Sequence, residues 1–66
     1  MDALKLEYEL KKKGITTEQI AHILNMDKAT FYRKKKGISD FTRMEIQTIK
    51  ETLDLSIEEV DAIFFV

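Results

Sequence analysis

Nine consecutive residues, Lys28-Ala-Thr-Phe-Tyr-Arg-Lys-Lys-Lys36 (KATFYRKKK), carry five positive charges and no negative one in a chain whose formal net charge is −1. The chemistry open to such a stretch is electrostatic and hydrogen-bonding. Ammonium and guanidinium groups neutralise phosphates, and either can pair with the O6 and N7 edge of guanine. No catalytic constellation stands beside it. The chain has no nucleophile elbow, no glycine-rich phosphate loop and no cysteine, and its single histidine, His22, cannot build a metal site alone. The expectation is therefore a binding protein rather than an enzyme, without metal, cofactor or small-molecule ligand.

The charge is divided along the chain. Residues 1–37 hold nine basic against five acidic side chains, a balance of +4, and residues 38–66 hold two against seven, a balance of −5. Such a dipole lets one face approach a polyanion while the other stays away, and the distribution is a better guide to a nucleic-acid footprint than the total.

Sixty-six residues allow one domain, 1–66, with one thin core. A chain of this size buries only about 60% of the surface its unfolded form exposes, so its stability is marginal. No apolar stretch approaches the ~18 residues that span a bilayer, and no basic segment followed by an apolar run opens the chain, so the expected location is the bacterial cytoplasm and nucleoid. An apolar share of 44%, a charged share of 35%, no proline and two glycines suit a folded helical domain.

The elements that must position the basic run are marked by repeated capping signals. Thr16 with Gln19, Thr42 with Glu45 and Ser56 with Glu59 each form a capping box. The pairs Ile15/Ile20, Phe41/Ile46 and Leu55/Val60 supply hydrophobic staples around them. Asp27 with Met26 and Phe31 keeps the cap and the staple, with Thr30 where the acidic or amide residue would stand. Helices are thus expected to begin near residues 16, 27, 42 and 56. Asn25 and Gly37 suit the left-handed residue just past a helix end, which places helix 2 at about 17–24 and helix 3 at about 28–36. Ile20, Ile23 and Leu24 mark the core face of helix 2; Ile46, Ile49 and Leu53 that of helix 4; Ile57, Val60 and Phe64 that of helix 5. Residues 4–10 (LKLEYEL) alternate as a half-buried strand would, while their residue types and the Glu7/Lys11 and Glu9/Lys13 spacings favour a helix ended by Gly14. Helix is the preferred reading, with Leu6 and Leu10 on the core side.

The span Ile15–Gly37, ITTEQIAHILNMDKATFYRKKKG, resembles the helix-turn-helix of the Cro and cI-type phage repressors, the XRE family, through Ala21, the tight turn, Met26, Asp27 and Phe31. The downstream FTRMEIQTIKETLDLSIEEV is similar to the fourth and fifth helices of small prophage-type members. The resemblance covers nearly the whole chain. It implies an all-α, compact four-to-five-helix bundle of the lambda-repressor-like type and sequence-specific binding of double-stranded DNA by a transcriptional regulator, a repressor of phage or mobile-element kind. The helix-turn-helix departs from the pattern at Asn25, which replaces the usual turn glycine, at Thr17, where the family carries a glutamine at the start of helix 2, and at Lys34 and Lys35 near the end of helix 3.

With Phe31 buried, helix geometry turns Lys28, Ala29, Tyr32, Arg33 and Lys36 to the opposite side. The family's base-contacting positions map onto Lys28, Ala29 and Arg33, with Tyr32 adjacent; Arg33 is the first base reader and Lys28 the second, while Ala29 or the Tyr32 ring can touch a thymine methyl. Phosphate contacts are expected from Thr17, Thr30, Lys34, Lys36, Ser39 and Arg43. Many relatives bury a large apolar residue where this chain has Lys34 and Lys35, so one of these should lay its stem over the core edge and lift its ammonium to solvent or phosphate. The blander reading of Lys34–Lys36 is a complement to the helix dipole. Lys11, Lys12 and Lys13 read as surface charge, His22 as exposed, Tyr8 as packed at the domain edge and Met44 as core filler.

Ile63, Phe64, Phe65 and Val66 cannot all face one side of a helix. Either they cover one another in a symmetric homodimer, which would set two helices 3 about 34 Å apart on a palindromic operator, or Ile63 and Phe64 enter the core and the last two residues fray. The dimer is preferred. The rival function is a protein-binding adaptor or antirepressor that keeps the fold without using DNA as its main ligand, and the net charge of −1 leans toward it.

Overall fold

Each helix of this chain starts on a polar side chain that folds back onto its own backbone. The computed structural model describes residues 1–66 and contains five α-helices: α1 (Ala3–Lys13), α2 (Thr17–Ile23), α3 (Lys28–Lys35), α4 (Arg43–Thr52) and α5 (Ile57–Phe64). The three capping boxes at Thr16, Thr42 and Ser56 are closed in both directions, and Asp27 Oδ1 accepts the Thr30 N–H at 2.7 Å. A fifth cap, Asp2, accepts from the Lys5 N–H at 3.1 Å. Caps of this kind contribute about 1 kcal/mol each, which matters in a chain with so little core.

Four helices also end alike. The residue just past the end takes a left-handed conformation at Gly14 (φ +71°), Asn25 (+57°), Gly37 (+83°) and Asp54 (+52°). Its N–H and that of the next residue then turn back to the last carbonyls: Asn25 to His22 and Met26 to Ala21, both at 3.0 Å, and Asp54 to Glu51 at 3.3 Å with Leu55 to Lys50 at 2.9 Å. This is the Schellman arrangement. An apolar residue follows every time (Ile15, Met26, Ile38, Leu55), and after three of them comes the next N-cap. The short linkers therefore leave little freedom in how one helix leads into the next.

Leu6, Leu10, Ile20, Ala21, Phe31, Phe41, Ile49, Leu53, Leu55, Val60 and Ile63 make the core, with Ile15, Leu24, Met26, Ile46 and Phe64 packed on it. α2 packs on α3, α1 on α5 and α4 on α5. Three rings connect the halves: Phe31 meets Phe41 edge-on at 5.6 Å between centroids, and Phe41 meets Phe64 edge-on at 5.6 Å. Such contacts add about 0.5–1.5 kcal/mol each beyond burial. The Asp2 N–H donates to the Ile63 carbonyl at 2.7 Å and ties the start of α1 to the end of α5.

Residues 4–10 are helix throughout, the preferred reading of that segment, and Gly14 ends it. Several other expectations need correction. α2 and α3 each stop one residue short of the expected end, because Leu24 and Lys36 already sit in the closing turn. Ile23 and Ile57 lie in solvent rather than in the core. At Ile57, the first residue of α5, burial follows Val60, Ile63 and Phe64 and leaves the opening turn beyond its neighbours. Met44 is 77% exposed and fills no core; Tyr8 stands out from the domain edge at 62% exposure. The spacings Glu7/Lys11 and Glu9/Lys13 form no ion pairs: Glu7 reaches Lys35 instead, and Glu9 is buried.

Candidate functional site

Phe31 fixes the rotation of α3. Its ring has no exposed surface and is held edge-on by Phe41, so the opposite side of the helix must face out. Lys28, Ala29, Tyr32, Arg33 and Lys36 are all exposed there, as their spacing implies. Eight residues of helix are about 12 Å long, close to the width of the B-DNA major groove.

The exposed cations differ in how they are held. Arg33 donates from Nη2 to the Thr30 hydroxyl at 3.2 Å, using one of its five N–H groups and leaving a planar face of donors outward. Thr30 in turn hydrogen-bonds Asp27, and its hydroxyl and then its backbone N–H hold the Asp27 carboxyl below the usual range, helped by the Arg33 charge. Thr30 is thus half-buried and engaged on both sides; it braces Arg33 rather than standing free for a phosphate. Lys28 lies 3.9 Å from Glu18, with both side chains mostly in water. A pair so exposed contributes about 0–1 kcal/mol and is easily exchanged for another anion. Lys36 and Lys35 stand 5.4 and 5.9 Å from the centre of the Tyr32 ring, which orients that half-exposed ring beneath positive charge.

Two lysines of the run are turned inward. Lys34 Nζ sits 2.7 Å from Glu45 Oε1 on α4, and Lys35 Nζ sits 3.3 Å from Glu7 on α1. The Lys34 side chain is 15% exposed and the Lys35 side chain 11%. Burial alone would raise the Glu45 pKa, but the Lys34 hydrogen bond, the Thr42 N–H and the Lys34 charge outweigh it and hold the carboxyl below its ordinary range. Lys34 was expected at a phosphate; its ammonium is already committed inside the fold. The expectation that one of the two would lift its ammonium to solvent fails for both, since each stem covers the core edge and each head finds a carboxylate. No local spacing signals these partners, because Glu45 and Glu7 come from other helices.

The outlying residues fall around this face. Thr17 is half-buried in the first turn of α2, where the capping box takes up the N–H groups of Thr16 and Gln19 and leaves those of Thr17 and Glu18 at the open helix end. Ser39, in the loop after α3, and Arg43, at the start of α4, are exposed. His22 is exposed as expected. No group of three or more His, Asp or Glu side chains could hold a metal ion.

At the C-terminal end the four apolar residues separate. Ile63 is 2% exposed and Phe64 is half-buried against Phe41, so Ile63 cannot belong to an interface between copies and Phe64 can offer only an edge. Phe65 and Val66 are exposed. Phe65 lines, with Phe41, Ile46, Val60 and the stem of Arg43, a shallow groove beside α4.

No helix is long and apolar enough to cross a membrane. Compared with family models, with curated proteins and with solved structures, this chain has no match.

Proposed function

We propose that this chain binds double-stranded DNA sequence-specifically, with α2 and α3 acting as a helix-turn-helix of the lambda-repressor-like, Cro and cI type and α3 as the recognition helix. The observation that carries the reading is the pairing of a fully buried Phe31 with an outward face of Lys28, Ala29, Tyr32, Arg33 and Lys36 in which every charged side chain is exposed. Arg33, braced by Thr30, reads a guanine; Lys28 exchanges Glu18 for a base edge or a phosphate; Ala29 and Tyr32 touch apolar base edges. Thr17, Lys36, Ser39 and Arg43 hold the phosphates on either side. Thr30 and Lys34 support this set from inside.

The principal extents of the chain, 27 × 24 × 21 Å, are shorter than the ~34 Å between successive major-groove faces, so one copy covers one half-site. A palindromic operator then calls for a homodimer, and Phe65 and Val66 are the apolar residues left to build it. The regulatory output is repression by occupying an operator, as in a phage or mobile element.

A specific observation favours a second reading. Two of the five cations in KATFYRKKK are committed to Glu45 and Glu7, and with a net charge of −1 the free positive field is modest, as in an adaptor or antirepressor that binds protein. Titration of a mixed-sequence duplex at several salt concentrations separates them. DNA binding requires log affinity to fall linearly with log salt, by about 0.9 per neutralised phosphate. Undetectable binding at low salt refutes the first reading.

A further inference from the structure

The groove beside α4 has a volume of about 440 Å³ and an apolar lining of Phe41, Ile46, Val60 and Phe65. Arg43 and Lys50 stand along its α4 edge. They are the only basic residues of 38–66, seven positions and so about 10 Å apart on one helix. The opposite edge is acidic. At 100° per residue, Ile57 and Asp61 fall between Val60 and Phe65, the two residues from the α5 end of the chain that line the groove, so both border it. The Phe65 N–H donates to the Asp61 carbonyl at 3.0 Å, which keeps Phe65 one turn beyond Asp61. Ile57 is 68% exposed and Phe65 66%, and Glu58 and Asp61 are exposed with them. None of Arg43, Lys50, Glu58 and Asp61 enters the three ion pairs of the molecule. Glu51, next to Lys50, accepts the Gln47 amide at 3.1 Å. The face therefore carries unpaired cations on one helix, unpaired carboxylates on the other and apolar side chains between them.

We propose that this face binds a second copy of itself across a two-fold axis, the α5 stripe of each copy lying in the groove of the other and Asp61 meeting the partner's Lys50. In a two-fold contact the same patch serves both copies, so whatever α4 offers, α5 must satisfy. A partner of one sign fits poorly here. An acidic segment would meet Glu58 and Asp61, and a basic one would meet Arg43 and Lys50. A second copy satisfies both edges at once, while Ile57, Phe65 and Val66 cover the apolar lining, giving the apolar centre and charged rim of an ordinary interface. The inference rests on the homodimer reading above and names the surface that Phe65 meets. Lys50 and Asp61 have no part in the set assigned to DNA, so the pairing asks nothing of α3.

Sedimentation of the 66-residue chain without DNA is measured for the parent, for Lys50→Glu, for Asp61→Lys and for an equimolar mixture of the two variants. The parent should dimerise. Each variant alone places like charges opposite one another at both symmetric contacts and should associate about tenfold more weakly or worse. In the mixed dimer both contacts again join opposite charges, so the mixture should recover the association of the parent. Variants that each dimerise as the parent does overturn the pairing and leave the homodimer itself standing on Phe65 and Val66. A parent that stays monomeric at millimolar concentration overturns both. A mixture that stays monomeric while both variants melt with the parent also refutes the pairing, as do species larger than a dimer, which mark a head-to-tail contact. If a variant melts well below the parent, dilution of the isotopically labelled parent followed by NMR decides. The amide signals of Lys50, Asp61 and Phe65 should then move with concentration, and movement confined to other residues overturns the proposal.

Discussion

The Lys34 ammonium lies 2.7 Å from Glu45 Oε1, the same oxygen that accepts the Thr42 N–H at 2.9 Å. One atom thereby closes the capping box of α4 and holds down the C-terminal half of α3. Glu45→Ala removes both and should destabilise the domain by about 1–3 kcal/mol in denaturant unfolding, whereas Glu45→Gln keeps an acceptor for Thr42 and should lose less. Equal losses for the two variants would mean that the charge on Glu45, not its acceptor, carries the effect.

Acid should unfold this protein through its caps. Asp27, Glu45 and Glu59 all have folded pKa values below their ordinary ones: Asp27 through Thr30, Glu59 chiefly through the Ser56 N–H with help from the Lys12 and Lys13 charges, and Glu45 through Lys34 and Thr42 against its own burial. The unfolded chain then binds more protons than the folded one in the window between folded and unfolded values. Stability is complete above the ordinary carboxylate range and is lost as pH falls through the lowered values. Thermal melts from pH 7 down to pH 2 should show a fall beginning near pH 5. A melting temperature that holds level down to pH 2 contradicts this account.

If α3 reads DNA, the cations of the run should not behave alike. Lys36→Gln should reduce the salt slope by about 0.9, while Lys34→Gln, already paired with Glu45, should leave the slope unchanged. Arg33→Ala should relax base preference at one position per half-site, corresponding to ~1–3 kcal/mol of discrimination. Thr30→Val should produce a weaker version of the same loss, because it frees the guanidinium without removing it. Affinity at several salt concentrations measures the two lysine variants and competition binding with single-base operator variants the other two; uniform weakening by Arg33→Ala on every operator variant would remove Arg33 from the base-reading set.

What was legible in the sequence was local. Thr16, Asp27, Thr42 and Ser56 cap helices because a side chain and an N–H three residues on are neighbours in any chain, and Asn25 and Gly37 end them because few residues accept positive φ. The exposed face of α3 followed from one buried ring and a period of 3.6. Asp54 carries a weaker signal because aspartate takes the left-handed conformation less readily than glycine or asparagine, and Asp2 because no Glu or Gln stands three residues on to complete a capping box. The partners of Lys34 and Lys35 and the orphaned oxygen of Glu9 depend on how separate helices meet, which no short-range pattern encodes.

Deleting Phe65 and Val66, which are exposed, should abolish self-association and leave the melting temperature within a few degrees of the parent, because neither belongs to the core. Sedimentation at micromolar concentration measures the first and a thermal melt the second. A parent chain that sediments as a monomer both alone and on DNA would eliminate the tail-mediated dimer.

The most direct test is selection of bound fragments from a random duplex pool by the unmodified chain. The account predicts enrichment of a short motif containing guanine, arranged as two inverted half-sites about one helical turn apart, and loss of the guanine preference when the selection is repeated with Arg33→Ala. A pool that emerges unenriched, or the same motif recovered by Arg33→Ala, would contradict it.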